Sequence, residues 1–183
     1  MKITILNGNP STDNVKFDNY LKTLSDLLES SKHTVTIFKL REMDIRYCVG
    51  CFGCWLKTPG ECGTEDDSRD IRRESINSDF LLFASPVIMG FTSALLKKAH
   101  ERLIPLTLPY LEIYQNEIHH VSRYDKSPLL GLLLERGKDT DEKDTKIISD
   151  IYRRDAINLK SSLCFTKFTT DSAKEVANEI NRI

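Results

Sequence analysis

The chain has 183 residues, of which 40% are hydrophobic and 29% are charged, the proportions of an ordinary soluble globular protein. Its 26 basic and 27 acidic residues leave a formal net charge of -1, so bulk electrostatics gives no reason to expect a nucleic-acid or anionic-membrane partner. No repeat, low-complexity run or second-domain boundary interrupts the sequence. Residues 1–183 are therefore predicted to form one domain.

The apolar run that opens the chain is too short for the core of a signal peptide or for a membrane span. We therefore expect a cytoplasmic protein, in a compartment where disulfide bonds are disfavoured. Clustered cysteines in such a compartment indicate metal or redox chemistry more than a structural bridge.

Five short apolar or alternating runs predict strands, and turn residues bound most of them. Apolar residues that recur at three- and four-residue steps predict a helix after each strand. Strands that alternate with helices in this way form parallel β-α-β units with helices on both faces of one sheet. The predicted fold is a doubly wound α/β domain with five strands. The strands are expected at Lys2–Leu6, Thr34–Phe38, Asp79–Ala84, Leu129–Leu134 and Leu163–Phe168.

Two helix starts carry recognisable signals. Asp66 and Asp67 suit the first turn of the helix that runs through Ile71 and Ile76. Either Thr92 or Ser93 is expected to cap the next helix.

Three loops with unusual composition follow predicted strands: Asn7–Asn14, Cys48–Asp67 and Ser85–Thr92. Ligands of doubly wound sheets bind beyond the carboxyl ends of the strands, so all three loops are expected to meet at that edge. The segment Pro105–Lys126 is expected to be an ordered excursion, either a lid or a dimer surface.

The first loop has neither the glycine-rich dinucleotide fingerprint nor the Walker A lysine pattern. Its small polar side chains and the backbone amides at a helix N-terminus suit a phosphate, although the same residue types are also ordinary turn and cap formers. The third loop is apolar where such loops are normally polar. Its side chains are expected either to be covered by a flat ligand or a partner chain, or to fold back into the core.

Cys48, Cys51, Cys54 and Cys62 have the spacing Cys-x2-Cys-x2-Cys-x7-Cys, in a glycine-containing stretch predicted to be loop. The spacing departs from the bacterial ferredoxin run and from zinc ribbons. Three interpretations stay open: ligands of a metal or cluster, thiols that pack the loop, and a disulfide.

Four further side chains are given structural interpretations. Cys164 is expected in the core, and the adjacent His119 and His120 at the surface or in a dimer contact. Trp55 is expected to pack the cysteine loop or to stack near a ligand.

The chain resembles the flavodoxin-like NAD(P)H-dependent FMN reductases, including the iron–sulfur flavoproteins. Leu6–Ser11 looks like the opening strand and phosphate loop of that family, and Ser85–Lys97 looks like its flavin-ring loop and following helix. Cys48–Asp67 is similar to its cysteine-rich insert. Asn9 and Ser11 stand where the family usually has Ser and Arg, and Ile88 replaces a common tyrosine.

The resemblance implies a flavodoxin-like fold, bound FMN and, with the cysteines as ligands, a [4Fe–4S] cluster. By the same resemblance, the flavin ring lies against the third loop. The residues implied for the FMN phosphate are Asn9, Ser11, Thr12 and Asn14, and those implied for the ring are Ser85, Pro86, Val87, Ile88, Met89, Gly90 and Phe91.

The leading hypothesis is an FMN-dependent oxidoreductase that passes electrons from NAD(P)H through the flavin to a small acceptor such as a quinone, another flavin or a metal complex. No side chain is assigned as a catalytic acid or base, because the cofactor carries the chemistry. One alternative is an electron-transfer protein with FMN and a [4Fe–4S] cluster, reduced by a ferredoxin-like partner. The other is a non-enzymatic domain whose thiol loop binds zinc. The resemblance also implies a homodimer.

Overall fold

The computed structural model describes residues 1–183. Strands and helices are numbered in chain order, and two short 3-10 turns, Leu40–Glu42 and Ile104–Leu106, are left without labels. The strands are β1 (Lys2–Asn7), β2 (Thr34–Lys39), β3 (Phe80–Ile88), β4 (Phe91–Thr92), β5 (Thr107–Tyr114), β6 (Glu117–Ser122), β7 (Leu129–Glu135) and β8 (Leu163–Phe168). The helices are α1 (Val15–Ser30), α2 (Gly53–Leu56), α3 (Ser68–Ile76), α4 (Ala94–Glu101), α5 (Glu142–Asn158) and α6 (Ala173–Ile180).

The central sheet has five parallel strands in the order β2-β1-β3-β7-β8. This is the flavodoxin strand order, and it confirms the fold predicted from the sequence. The two central runs, Phe80–Ala84 and Leu130–Leu134, are buried throughout. Strands covered by helices on both faces need such continuous apolar runs, which is why these two are visible in the sequence.

Helices cover the sheet on both faces and form two cores. On one face, α1 and α6 pack with side chains such as Phe17, Leu24 and Val176. On the other face, α3, α4 and α5 pack with side chains such as Leu96 and Tyr152. No helix of the chain combines the length and the apolar character that crossing a bilayer requires.

The structure confirms the predicted cap of α4 and shifts the predicted acids of α3 to positions just before its first turn. Ser93, and not Thr92, caps α4, because its Oγ accepts a hydrogen bond from the N–H of Leu96 at 3.1 Å. Asp67 is the N-cap residue of α3 and Asp66 precedes it, so both acids stand at the start of the helix, just before its first turn. Their carboxylates accept hydrogen bonds from the N–H groups of Arg46 and Asp44, at 2.9 and 2.7 Å.

Residues 107–122 form the antiparallel hairpin β5–β6, which was not predicted. Its turn consists of Gln115 and Asn116, both with positive φ angles (52° and 63°). The hairpin pairs only with itself, and Ile113 and Ile118 near its tip are 81% and 71% exposed. The excursion predicted at Pro105–Lys126 is therefore an ordered hairpin that presents apolar side chains to solvent.

The prediction for Cys164 is wrong. It lies in β8, which pairs with β7 alone and forms one edge of the sheet. Because no further strand covers this edge, Cys164 is exposed instead of buried in the core.

Candidate functional site

Two of the three predicted loops meet at the carboxyl edge of the sheet, and we call residues 7–14 and 85–92 the edge loops. The N–H of Gly8 donates to the carbonyl of Ala84 at 2.8 Å, and Ser93 Oγ donates to the carbonyl of Gly8 at 2.5 Å. A Cβ at Gly8 would lie 2.6 Å from Leu96 Cβ. Only glycine allows this close approach between the first edge loop and α4.

The first edge loop is organised by the buried side chain of Asn9. Its Oδ1 accepts from the N–H of Ser11 at 3.1 Å, and its Nδ2 donates to Asn14 O and to Asp18 Oδ1, each at 3.1 Å. The backbone N–H of Asn9 is also used, because it donates to Asn7 Oδ1 at 3.0 Å. Asn9 therefore shapes the loop, and its amide groups are already engaged within the chain.

Four backbone amides at the start of α1 donate no hydrogen bond within the chain: those of Thr12, Asn14, Val15 and Lys16. The next amide, that of Phe17, is capped by Asn14 Oδ1 at 3.3 Å. Free N–H groups at the positive end of a helix dipole form an anion site. The first edge loop has the donors for a phosphate in its backbone, beside the hydroxyls of Ser11 and Thr12.

Arg41, just beyond β2, is a cation beside this loop that sequence reasoning missed. Its Nη2 lies 2.7 Å from Asp18 Oδ2, and its Nη1 donates to the carbonyl of Asn9 at 3.4 Å. Burial would raise the pKa of Asp18, but hydrogen bonds from Arg41, Asn7 and Asn9 outweigh burial and lower the pKa. The missed signal was a basic residue at the carboxyl end of the neighbouring strand.

The second edge loop is in part an extension of β3, which corrects the prediction that this strand ends at Ala84. β3 continues to Ile88 and turns back into β4, with Val87 paired to Thr92 and Ile88 to Phe91. Met89 and Gly90 form the turn, with φ angles of 52° and 75°. Two positive φ angles are typical of the tight turn between paired antiparallel strands.

The apolar side chains of this segment divide between core and solvent. Ser85 and Val87 are buried, and Pro86 and Phe91 are half-buried. Met89 is completely exposed, and Ile88 is 43% exposed. Some side chains of this loop therefore fold back into the core, and others stay exposed where a ligand or a partner chain could cover them. The tip of the turn offers an uncovered apolar surface beside the phosphate-type donors of α1.

Cys48, Cys51, Cys54 and Cys62 line one small cavity, which we call the thiol cavity. All four are free thiols, so no disulfide forms. No three His, Cys, Asp or Glu side chains are arranged as ligands of a single metal ion. The stretch is not entirely loop as predicted, because Gly53–Leu56 forms the short helix α2.

Donor type and size decide whether the thiol cavity can hold a [4Fe–4S] cluster. The donor type fits, because such clusters are held by four cysteine thiolates. The size does not fit, because the cavity measures about 30 Å³ and has room for no more than a few water molecules.

Burial and neighbouring charges act differently on two of these thiols. Burial raises the pKa of Cys54, and the neighbouring thiols of Cys62, Cys48 and Cys51 raise it further. Burial also favours the neutral form of Cys62, but hydrogen bonds from Thr64 and the charge of Arg102 outweigh burial and lower the pKa of Cys62. Of these two thiols, Cys62 is the one whose surroundings favour the thiolate form.

The thiol cavity does not lie at the carboxyl edge, which corrects the prediction that all three loops meet there. It is lined by Glu101 and Arg102 at the C-terminal end of α4, whereas Ser93 at the N-terminal end contacts the first edge loop. Helix α4 has 8 residues, and at about 1.5 Å per residue it spans about 12 Å. The cysteines therefore form a second site instead of one wall of the first.

Trp55 and the histidines attach the cysteine stretch to the hairpin. The ring of Trp55 stacks on Phe52 and contacts His120, with centroid distances of 5.3 and 5.1 Å, and its Nε1 donates to the carbonyl of Thr107 at 3.0 Å. His119, expected at the surface or in a dimer contact, is only 4% exposed within the single chain. Its Nδ1 lies 3.0 Å from Asn158 Oδ1, which fixes β6 against α5.

Comparison with known proteins connects the chain to flavin enzymes. It is 32% identical over 108 residues to an iron–sulfur flavoprotein of Archaeoglobus fulgidus, a match that covers 57% of this chain and 46% of the relative. It is 28% identical over 110 residues to an iron–sulfur flavoprotein of Methanocaldococcus jannaschii, which covers 60% of this chain and 55% of the relative. The match thus spans about half the length of these curated relatives.

Solved structures show the same fold at low identity. An FMN-dependent NADH-azoreductase from Bacillus anthracis, solved with FMN, superposes with a TM-score of 0.68 at 11% identity over 99% of this chain and 98% of its own. An NAD(P)H:quinone oxidoreductase from Methanothermobacter marburgensis superposes with a TM-score of 0.68 at 17% identity, covering 99% and 92%. The sequence model of the NADPH-dependent FMN reductases matches residues 1–120. The chain belongs to the NADPH-dependent FMN reductase family.

Proposed function

We propose that this protein binds FMN at the edge loops and passes electrons from NAD(P)H through the flavin to a small acceptor such as a quinone, a second flavin or a metal complex. When bound, FMN supplies the hydride acceptor and the electron carrier. The observation that carries the proposal is the pairing of four free amides on α1 with an exposed apolar turn, at the sheet edge where flavodoxin-like folds bind ligands.

The residues at this edge have separable tasks. The free amides of the α1 N-terminus, with the hydroxyls of Ser11 and Thr12, bind the phosphate without a dedicated cation. The backbone from Ser85 to Phe91 lines the ring, with Ile88 and Met89 excluding water from one face. No acid or base is assigned, because the chain binds and orients a cofactor that reacts on its own.

One titration series tests the proposal. Purified protein is stripped of flavin and titrated with FMN and with riboflavin, which has the same ring but no phosphate. We expect FMN to bind at least tenfold more tightly, with the difference reduced by salt. NADPH or NADH should then bleach the yellow protein. Protein that binds neither flavin, or that binds both equally, would contradict the proposed site.

Asp13 supplies a charge test of the same phosphate site. It is an exposed carboxylate in the first edge loop, so Asp13→Asn should tighten FMN binding about threefold at low salt and leave riboflavin binding unchanged. Asp26, on the solvent side of α1, serves as the matched control. Equal effects of Asp13→Asn and Asp26→Asn would place the phosphate elsewhere.

A second candidate function is electron transfer through FMN and an iron–sulfur cluster, with a ferredoxin-like protein as donor. It is favoured by one observation, the convergence of four free thiols on one cavity. Anaerobic purification followed by iron and acid-labile sulfide assays tests it. About four irons per chain, with reduction by a ferredoxin and not by NADPH, would support this candidate over the first.

We also expect a homodimer, with the β5–β6 hairpin as a contact. The support is the exposed apolar side chains of Tyr110, Leu111, Ile113 and Ile118. Sedimentation of the wild type and of an Ile113→Ser, Ile118→Ser double variant tests this. Two monomeric species would remove the dimer from the proposal.

A further inference from the structure

A large cavity lies along α3, and we call it the arginine cavity. It measures about 850 Å³, and three arginines of α3 line it: Arg69, Arg72 and Arg73. None of the residues of the edge loops lines it. A volume of this size is typical of binding sites for small organic molecules. The cavity is therefore large enough for a ligand and separate from the proposed flavin site.

Arg72 differs from the other two arginines because it is buried. It is 6% exposed, whereas the side chains of Arg69 and Arg73 are 73% and 64% exposed. The exposed arginines pair with carboxylates, Arg69 with Glu61 at 3.7 Å and Arg73 with Asp70 at 3.0 Å. The hydrogen bonds of Arg72 go only to a hydroxyl and a carbonyl. Its positive charge is therefore buried without a counter-charge, which proteins normally avoid.

The hydrogen bonds of Arg72 leave one edge of its guanidinium group free. Nη1 donates to Ser68 Oγ at 2.7 Å and to the carbonyl of Arg102 at 3.5 Å. Nε and Nη2 donate no hydrogen bond within the chain, and both atoms remain accessible from outside the protein. These two N–H groups are parallel donors that match two oxygens of a carboxylate or a phosphate. The wall of the arginine cavity thus contains an unused bidentate donor for an anion.

The carboxylates beside the cavity do not supply this anion. Asp66 is fully buried and pairs with Arg102 at 3.1 Å. Glu61 and Glu65 are exposed, so water and salt screen their charges. The guanidinium of Arg72 is buried in a medium of lower dielectric constant, where its charge acts more strongly at short range. An anion that enters the cavity can therefore pair with Arg72 despite the exposed acids.

The rest of the lining adds further donors and an apolar wall. In the segment Cys62–Asp66, only the N–H of Thr64 donates a hydrogen bond within the chain. The free amides of this segment suit the remaining oxygens of an anion. Ile76, Leu106 and Tyr124 line the cavity as well. Their side chains offer contact to an organic group, so the cavity suits more than an inorganic ion.

We propose that the arginine cavity binds a small organic anion, with a phosphate or carboxylate group on the Nε–Nη2 edge of Arg72. The organic part of the ligand contacts Leu106 and Tyr124. The inference goes beyond the proposed function, because it concerns a second binding site and requires neither bound flavin nor a reaction at the thiols.

Calorimetric titration of the full chain tests the proposal. The protein is first saturated with FMN, so that the edge loops cannot take up an added phosphate; a chain that binds no FMN is titrated as it is. The probes are adenosine monophosphate (AMP), adenosine, inorganic phosphate and benzoate. AMP should bind about tenfold or more tightly than adenosine, and added salt should weaken its binding.

The probes also distinguish the two kinds of anion. Tighter binding of AMP and inorganic phosphate than of benzoate would assign a phosphate ligand, and the reverse order would assign a carboxylate. Either order supports an anion site. Wild-type protein that binds none of the three anions would overturn the proposal.

Substitutions of Arg72 locate the site. Arg72→Met removes the charged donors and keeps an unbranched side chain, so it should weaken AMP binding about tenfold or more. Arg72→Lys keeps the charge without the paired donors and should bind AMP with intermediate affinity. The matched control is Arg153→Met, which removes an exposed arginine of α5 and should match the wild type. Equal AMP affinities of the wild type and Arg72→Met would overturn the proposal.

A measurement on the wild type decides the question even if Arg72→Met does not fold. The Nε–H resonance of Arg72, assigned by NMR through its own side chain, should shift as inorganic phosphate or benzoate is added, because the anion becomes its hydrogen-bond acceptor. The Nε–H resonance of Arg153 should not shift with it. An unchanged Arg72 resonance at saturating anion would overturn the proposal.

Discussion

The edge loops and the thiol cavity lie at opposite ends of α4 and bind in opposite ways. The edge loops offer free backbone amides and an uncovered apolar turn, and the charge of Arg41 beside them is neutralised by Asp18. The thiol cavity offers four thiols next to the buried ion pair of Arg102 with Asp66. The first site suits a flat cofactor with one anionic end, whereas the second presents thiols whose protonation responds to neighbouring charge. Because their chemistry differs, a substitution can disrupt one site without affecting the other.

The largest expected effect is at the thiol cavity. Asp66→Ala leaves the buried guanidinium of Arg102 without its carboxylate partner at 3.1 Å, so the free energy of unfolding should fall by about 3–5 kcal/mol. Urea denaturation measures it. Asp70→Ala, which removes only an exposed ion pair, should cost less than about 1 kcal/mol. Equal losses of stability in the Asp66→Ala and Asp70→Ala variants would mean that the Asp66 ion pair does not behave as a buried one.

The same variant should change the acid limb of the stability curve. Burial favours protonated Asp66, but hydrogen bonds from Ser68 and Arg46 and the charge of Arg102 lower the pKa of its carboxyl below the ordinary 3.8. The group therefore stabilises the fold fully above that value and loses its contribution as the pH falls through the lower, folded pKa. As the pH falls into the acid range, the free energy of unfolding of the wild type should lose the contribution of ionised Asp66. The Asp66→Ala variant lacks this contribution and should not show that loss.

At the other site, Gly8→Ala should cost about 1–3 kcal/mol of stability, because its Cβ would lie 2.6 Å from Leu96 Cβ. FMN binding should weaken with it, since the first edge loop is displaced from α4, while the thiol cavity at the other end of α4 stays unchanged. Gly63→Ala has open space around its Cβ and should stay within about 0.5 kcal/mol of wild type. Thermal unfolding and FMN fluorescence titration measure both changes.

A smaller effect is expected at His100, where α4 packs against α5. Burial lowers the pKa of His100 from its ordinary 6.5, and its ring contacts Tyr152 and Phe83, each at 5.2 Å. Because the unfolded chain takes up this proton first, stability should fall as the pH decreases through 6.5. His100→Phe keeps an aromatic ring and should reduce this fall between pH 8 and pH 5, measured by urea unfolding. An unchanged pH slope would assign the fall to other groups.

The smallest expected effect is at the exposed turn. Met89→Ser should weaken FMN binding about fivefold, because part of an apolar side chain would no longer be covered by the ring. Stability should not change, since Met89 is completely exposed in the free chain. Ile113→Ser, at a position on the hairpin that is 81% exposed, should leave FMN binding intact. An effect of Ile113→Ser alone would join the hairpin to the flavin site and weaken the separation of the two regions.

The sequence predicts the parts of the fold that local patterns specify. Continuous apolar runs identify β3 and β7, and the strand–helix alternation predicts the five-stranded parallel sheet. The hairpin β5–β6 was missed because Pro105 and Pro109 interrupt its pattern and most of its apolar side chains face solvent. A hairpin that no other layer covers does not need apolar residues on one face only. Its sequence therefore cannot be distinguished from that of a loop.

The sites were predictable to different degrees. The edge loops follow strands directly, so the topology of the fold alone brings Gly8 beside Ala84. The thiol cavity follows a long irregular segment, whose direction the topology does not fix. Arg72 and Arg102 are 30 residues apart and resemble solvated helix charges in the sequence. Only the three-dimensional packing shows that both are buried.

The length of α4 has a consequence for how related chains can change. Each residue of a helix rotates the chain by about 100°, so a single insertion within α4 would turn Arg102 away from the thiol cavity while Ser93 kept its hold on Gly8. An insertion of about seven residues, close to two full turns, would restore the direction but move the two sites about 10 Å further apart. Substitutions in α4 are therefore easier to accommodate than changes in its length. The number of residues in α4 therefore sets the distance between the two sites.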